Sequence, residues 1–286
     1  MGSGLLSYKK AVTLFSIFVI LGATLQGQYV MKTIGKGIVT TELPAAAIFA
    51  ALISSGLFVT LATFFKLPVS TSQAIVGGIA GVELAAGAEV NLSKLLTIGQ
   101  VWVVCPLLTG LTAFLIYHFF AFSLRRVGRP ELWDRILKAL LIGSACYIAF
   151  SLGANDVGNS VGPIANLGIP FIWLALLGGI SLALGAVMFG HRVVETVGGG
   201  ITPLDPLSAF AAQLSAALAV HFFSRLGIPV STSQSVVGAV VGVGLVKGIS
   251  AIKGRRVAEI TGGGVVTPTA AGLFSFGLYK VISLLI

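Results

Sequence analysis

The chain has 286 residues, of which 56% are hydrophobic and only 9% are charged, with a formal net charge of +9. An ordinary soluble domain carries about 25% charged residues, so this composition excludes a soluble globular protein and indicates an integral membrane protein. The positive charge does not indicate nucleic-acid binding, because the basic residues lie in short connections between apolar runs.

Seven apolar runs are long enough to cross a bilayer, which takes about 20 residues in a helix. The runs are continuous and rich in Ala, Leu and Gly, and therefore predict helices rather than the alternating strands of an outer-membrane barrel. We expect an all-α, multi-pass membrane protein that keeps its first span. The predicted spans lie at 11–31, 44–65, 95–122, 136–153, 171–190, 205–224 and 263–286.

The connection after the third span, residues 123–138, carries the largest cluster of basic residues. Positively charged connections stay on the cytoplasmic side, so we expect this one to be cytoplasmic. The cluster consists of Arg125, Arg126, Arg129, Arg135 and Lys138.

The sequence contains an internal repeat. K-L-P-V-S-T-S-Q-A-I-V-G-G-I-A-G at 66–81 recurs as G-I-P-V-S-T-S-Q-S-V-V-G-A-V-V-G at 227–242. Repeats of this kind are the usual architecture of secondary transporters, although channels and non-transporting proteins also contain them. We predict a first repeat at 1–122, a basic connecting loop at 123–138 and a second repeat at 139–286. The register places Met1 opposite Ile164, so the first repeat is expected to be incomplete at its N-terminus.

The repeated motif P-V-S-T-S-Q predicts a helix that begins at membrane depth. Proline cannot continue a preceding helix, and the hydroxyls after it can cap a new one. The apolar segment that follows has about 15 residues, too few to span, and predicts a broken helix or re-entrant hairpin. Its N-terminal end would favour an anion, and the alternative is capping with contacts between helices. The candidate residues are Ser70, Thr71, Ser72, Gln73, Ser231, Thr232, Ser233 and Gln234.

A second polar motif, S-L-G-A-N-D-V-G-N-S-V-G-P at 151–163, places Asp156 at the end of an apolar run. Burying an uncompensated carboxylate in a membrane costs roughly 2.5–3.5 kcal/mol. The motif has no Lys or Arg, so Na⁺ or a proton is the expected partner, unless Asp156 lies at the aqueous interface. Its glycines and Pro163 predict unwinding that frees backbone carbonyls for a cation. Glu83, by contrast, falls in a predicted loop and is expected to be solvated.

G-A-N-D-V-G-N-S at 153–160, with two copies of P-V-S-T-S-Q in duplicated membrane halves, resembles the inorganic phosphate transporter (PiT) family. The resemblance covers essentially the whole chain. It implies two inverted repeats, a plasma-membrane location and phosphate uptake coupled to Na⁺, or in some members to H⁺. It also implies that phosphate lies between the Asn-Asp motif and the two hydroxyl-rich tips. The Asn-Asp motif is here Asn155, Asp156, Asn159 and Ser160. The tips are the two copies of P-V-S-T-S-Q, at 68–73 (first tip) and 229–234 (second tip). Candidate Na⁺ ligands are Asp156, Asn155, Ser231 and Ser70.

The sequence departs from the family pattern in two places. The family has an Asn-Asp motif in each half, and this chain has only the second. Family members tend to carry Glu in the span before the second tip, where this sequence has Gln213. The second departure leaves the choice of coupling ion open.

Three functions compete on the sequence alone. The leading one is a cation-coupled phosphate transporter in the lipid bilayer, either monomeric or a homodimer, with no cofactor. The alternatives are a sulfate permease of the same family and a non-transporting membrane channel or subunit. An enzyme is not expected, because the sequence has no catalytic or phosphate-loop motif.

Overall fold

The structure is a computed structural model that describes residues 6–38, 43–65, 67, 69–124, 130–197, 204–248 and 254–285. Pro68 and three arginines of the basic connection, Arg125, Arg126 and Arg129, lie outside these ranges.

The described chain is helical and contains no β-strand, which confirms the all-α prediction. Short π-helical or 3₁₀ turns occur at Thr33–Gly37, Gly153–Val157 and Gly162–Ile164. The helices are α1 (Tyr8–Gln26), α2 (Gln28–Lys32), α3 (Ala45–Phe64), α4 (Thr71–Ala86), α5 (Leu92–Leu124), α6 (Pro130–Leu152), α7 (Gly158–Val161), α8 (Phe171–Val197), α9 (Pro206–Arg225), α10 (Thr232–Lys247) and α11 (Gly254–Ser283).

Seven stretches of the described chain are long and apolar enough to cross a membrane, as the sequence predicts. They lie within α1, α3, α5, α6 with the turns after it, α8, α9 and α11. The two helices that follow the P-V-S-T-S-Q motifs, α4 and α10, have 16 residues each. At 1.5 Å per residue each is about 24 Å long, less than the roughly 30 Å of a hydrocarbon core. Neither helix can therefore span a bilayer alone.

Both short helices begin at a serine N-cap, as the motif predicts. The backbones of Ser70 and Ser231 are extended. Their hydroxyls accept hydrogen bonds from the backbone N–H groups of Gln73 and Gln234 at 3.4 and 3.3 Å. These caps use one of the N–H groups that each helix start leaves unpaired, and the others remain available to a ligand.

Each short helix packs against a long helix of the other repeat: α4 packs against α11, and α10 packs against α5. Two glycines on α4 and two on α10 lie so close to the partner helix that an added Cβ would overlap a backbone carbonyl oxygen there. Small residues at such positions let membrane helices approach closely. The two copies therefore interlock reciprocally, while inversion of the repeats remains a prediction. The pairs are Gly77 with Pro268, Gly81 with Gly272, Gly238 with Pro106, and Gly242 with Gly110.

The helix that carries the Asn-Asp motif crosses α1 at equally short range. A Cβ on Gly153 would overlap the carbonyl of Val19, and one on Gly22 would overlap the carbonyl of Phe150. After α6 the chain continues through the π-helical turn Gly153–Val157, α7 and the 3₁₀ turn. The predicted unwinding is therefore wrong: these glycines serve close packing, and the backbone stays helical with locally altered hydrogen bonding.

Two further expectations differ from the structure. Helix α6 begins at Pro130, so residues 130–138 of the predicted loop are helical, with an exposed ion pair between Asp134 and Lys138 at 2.6 Å. Glu83 lies inside α4 with no solvent exposure, so its placement in a solvated loop is wrong. The helix runs past Glu83 because its stop signal is Gly87, which adopts the left-handed conformation that ends many helices.

Candidate functional site

The Asn-Asp motif meets the N-terminal ends of α4 and α10 around the hydroxyl of Ser72. The Ser72 Oγ donates to the carbonyl of Val230 at 2.7 Å, just before the start of α10. It accepts from the Asn159 amide at 2.6 Å and from the Asn155 amide at 3.3 Å. One donor and two acceptor positions are all that a hydroxyl offers, so Ser72 is fully engaged. A single buried hydroxyl thus joins three segments that are distant in sequence.

The side chain of Asn155 forms hydrogen bonds with the backbone of the second tip, at Val230. The Asn155 Nδ2 donates to the Val230 carbonyl at 3.0 Å, and the Val230 N–H donates to the Asn155 Oδ1 at 3.1 Å. The same Nδ2 lies 2.9 Å from the Asp156 Oδ1. Asn155 is fully buried, and both ends of its amide already have protein partners. Its geometry is that of a residue that positions its neighbours.

Asp156 provides the negative charge of the site. Its half-buried carboxylate has side-chain hydrogen bonds with Asn155, Asn159 and Thr71. No Lys or Arg within the described ranges forms an ion pair with Asp156, whereas Asp134 pairs with Lys138. A carboxylate among neutral donors still attracts a counter-charge in a medium of low dielectric constant. The site is therefore electrostatically suited to a cation.

The starts of α4 and α10 are joined directly by a pair of glutamines. The Gln73 Nε2 donates to the Gln234 Oε1 at 3.1 Å. The other end of this buried amide, the Gln73 Oε1, has no donor in the described chain, and neither does the buried Asn159 Oδ1. Buried polar atoms without a partner are uncommon and often mark a place where an ion, water or ligand binds. Two acceptor oxygens and a carboxylate are thus available beside two converging helix N-termini.

The remaining predicted residues lie around this cluster. Ser70 and Ser231 are buried and cap their helices, and Thr71 is exposed yet reaches Asp156. Ser160 is exposed, and its Oγ donates to the Asp156 carbonyl at 2.8 Å. Thr232 is half-buried and Ser233 is exposed, so neither lies in the central hydrogen-bond network. The structure therefore brings together the Asn-Asp motif with the first tip, and the second tip contributes its backbone and Gln234.

Gln213, where the resemblance implies Glu, lies half-buried on α9. Its Oε1 accepts a hydrogen bond from the Ser144 hydroxyl of α6 at 2.9 Å. The amide thus makes a neutral contact between two helices at this place, where a carboxylate would have added a negative charge.

Two contributors to the site lie outside the predicted set. Val230 contributes through its backbone, which a sequence does not reveal. The Trp102 Nε1 donates to the Pro229 carbonyl at 2.9 Å and so covers the second tip. Comparison of the two repeats could have indicated that Trp102 contacts the site, because the repeats differ sharply at this position: the second copy has Gly264 there.

We expect Ser72→Ala to weaken the site and its repeat equivalent Ser233→Ala to have little effect. Ser72→Ala removes the acceptor for two buried amides and the donor to Val230, whereas Ser233 is exposed. Loss of buried hydrogen bonds of this kind should lower the affinity for phosphate by about tenfold or more. The measurement is the concentration of phosphate that gives half-maximal uptake into proteoliposomes. Equal effects of the two substitutions would contradict the central place of Ser72.

Two short helices whose N-terminal ends meet beside an ionisable residue are typical of helical membrane transporters. The chain matches the phosphate transporter family over residues 1–275 and belongs to it. This confirms the family that the motifs indicate, and the fold and family are those of a transporter.

Relatives and a solved structure agree with this assignment. A putative phosphate permease of Methanocaldococcus jannaschii is 34% identical, covering 96% of this chain and 86% of the relative. One from Pyrococcus furiosus is 28% identical, with 99% and 90% covered. A chloroplastic inorganic phosphate transporter of Arabidopsis thaliana is 27% identical, with 99% and 68% covered. The solved structure of a sodium-dependent phosphate transporter superposes with a TM-score of 0.90 at 28% identity, covering 100% of this chain and 92% of the other.

Proposed function

We propose that this protein moves inorganic phosphate across a membrane together with Na⁺. The observation that carries the proposal is the convergence of two helix N-termini, linked by Gln73 and Gln234, beside the Asp156 carboxylate. Free N–H groups and the positive dipole ends of two helices favour an oxyanion. The family and the solved relative support phosphate as that anion and Na⁺ as its companion.

The cation follows from the charge at Asp156. A phosphate anion and a carboxylate repel each other in a medium of low dielectric constant, and a bound Na⁺ would remove the repulsion. Sodium is a hard cation that takes oxygen ligands, as Ca²⁺ and Mg²⁺ do. Asp156 and the unpartnered Asn159 Oδ1 supply such oxygens. Of the other Na⁺ ligands predicted from the sequence, Asn155 has its Oδ1 bonded to the Val230 N–H, and Ser70 and Ser231 use their hydroxyls as caps. We therefore propose Asp156 and Asn159 as the principal cation ligands.

The acceptor groups favour phosphate over sulfate. Phosphate near pH 7 retains a proton and can donate a hydrogen bond, whereas sulfate can only accept. Once Asp156 and Asn159 hold the cation, the buried Gln73 Oε1 is the acceptor that remains for a phosphate proton. A site built with buried acceptors rejects a ligand that cannot donate to them, since these groups are then left unpaired.

The proposed location is the cell membrane. The plant relative is chloroplastic, so membrane fractionation of cells that express the native protein is the direct test. A homodimer remains a prediction, and the site described here is built from one chain.

The test of the proposed function is ³²P-phosphate uptake by purified protein in proteoliposomes, under an inward Na⁺ gradient, an inward H⁺ gradient or K⁺ alone. We expect accumulation under Na⁺ that excess unlabelled phosphate abolishes and excess sulfate leaves largely intact. Accumulation under H⁺ but not Na⁺ would overturn the choice of coupling ion. Sulfate accumulation without phosphate accumulation would overturn the choice of substrate.

A further inference from the structure

One position of the repeat differs sharply between its two copies. Residues 101–106 read V-W-V-V-C-P on α5, and residues 263–268 read G-G-V-V-T-P on α11. The register is fixed by the prolines inside the two long helices, Pro106 and Pro268. Trp102 and Gly264 are therefore equivalent, so the largest side chain in one copy corresponds to none in the other.

The space beside Gly264 is taken by the glutamine pair. A Cβ on Gly264 would overlap the Gln234 Nε2 and would lie 3.5 Å from the Gln73 Nε2. The Gln234 amide thus lies against bare backbone while its Oε1 accepts from Gln73. At the equivalent place on α5, the Trp102 indole instead covers the second tip through the Pro229 carbonyl. The missing side chain is what leaves room for this amide.

The backbone at Gly264 is also unusual. Pro268, four residues later, has no N–H, so the Gly264 carbonyl lacks its helical partner. This carbonyl belongs to the same residue whose α-carbon faces the Gln234 amide. Position 264 therefore combines space for the glutamine pair with a backbone carbonyl that its own helix does not use.

We propose that Gly264 is a positioning residue that holds Gln234 against Gln73 and thereby sets the affinity of the site for phosphate. The proposal rests on the proposed function of phosphate transport. Gly264 acts through the glutamine pair. With Gln234 in place, the Gln73 Nε2 donates to the Gln234 Oε1, and the Gln73 Oε1 is the free acceptor. A methyl group at 264 displaces the Gln234 amide, releases Gln73 and removes that arrangement.

The test is a double-substitution cycle with Gly264→Ala, Gln234→Ala and the double variant. The control is Gly262→Ala on the same helix, where an added Cβ meets nothing within 4 Å. We expect Gly264→Ala to raise the half-saturating phosphate concentration about tenfold, the effect of losing about one hydrogen bond. The maximal uptake rate should change little. In the Gln234→Ala background, Gly264→Ala should have no further effect, because the displaced amide is gone.

A second measurement separates this inference from the proposed function. Thermal unfolding of the same four purified variants reports the contact between Gly264 and Gln234 without requiring transport. If Gly264→Ala and Gln234→Ala had additive effects on the unfolding temperature and on the half-saturating phosphate concentration, the positioning role would be overturned. So would a Gly264→Ala protein that takes up phosphate like Gly262→Ala. Absence of phosphate uptake by the unsubstituted protein under every gradient would instead overturn the proposed function, and the affinity role with it.

Discussion

Asp156→Asn is expected to abolish gradient-driven phosphate uptake while leaving the protein folded. Asparagine retains the shape of the side chain and can keep the contacts with Asn155 and Thr71, but it removes the charge that holds the cation. Removing one member of a desolvated charge pair costs about 3 kcal/mol, which corresponds to about 100-fold. The measurement is the initial rate of ³²P-phosphate uptake under an inward Na⁺ gradient, with the unfolding temperature of the purified variant recorded beside it.

Asp134→Asn is the matched control for this substitution. Asp134 is an exposed carboxylate near the start of α6 that pairs with Lys138. Exposed ion pairs contribute about 0–1 kcal/mol, so this variant should transport at the rate of the unsubstituted protein. If Asp156→Asn transported equally well, Asp156 would be a structural residue and the cation would have to bind elsewhere.

Gly242→Ala is expected to produce a large loss of stability. Its Cβ would overlap the carbonyl oxygen of Gly110 and lie 2.6 Å from the carbonyl carbon. Backbone atoms of a packed helix cannot move aside as the end of a side chain can, and overpacking typically costs about 1–3 kcal/mol. We expect a lower unfolding temperature and a weaker contact between α10 and α5. Gly81→Ala should behave alike, because the same contact recurs between α4 and α11.

Gly277→Ala shows whether this effect comes from packing or from glycine replacement in general. Its Cβ meets nothing within 4 Å, and alanine is a better helix former than glycine by about 1 kcal/mol. The Gly277→Ala protein should therefore unfold at the same temperature or higher. A Gly242→Ala protein as stable as Gly277→Ala would show that the two repeats do not depend on the close crossing.

The sequence predicts much of this fold because a bilayer leaves few choices. Long apolar runs must be helices, so the seven spans could be placed from composition alone. The helix starts at Ser70 and Ser231 were also predictable, since proline and a capping hydroxyl act locally. Glu83 was misplaced because its neighbours in sequence resemble a loop. The helix continues past it and ends at Gly87.

The sequence indicated several residues that the structure brings together, but not the contacts that each of them makes. Ser72 and Ser233 occur in identical motifs, yet one is buried against Asn155 and Asn159 and the other is exposed. Identical motifs do not reveal which partner each one meets, because that depends on how the repeats interlock. Gly153 was misinterpreted for a related reason: glycine permits both unwinding and close packing, and the nearby backbone of α1 decides between them.

The central claim is that phosphate and Na⁺ bind next to each other between the Asn-Asp motif and the two helix tips. Equilibrium binding to the purified protein tests this most directly, with phosphate affinity measured across Na⁺ concentrations and Na⁺ affinity across phosphate concentrations. Linkage requires each ligand to raise the affinity of the other by the same factor. We predict equal factors in the unsubstituted protein and loss of the coupling in Asp156→Asn. Phosphate affinity that is independent of Na⁺, or coupling that survives in Asp156→Asn, would contradict the account.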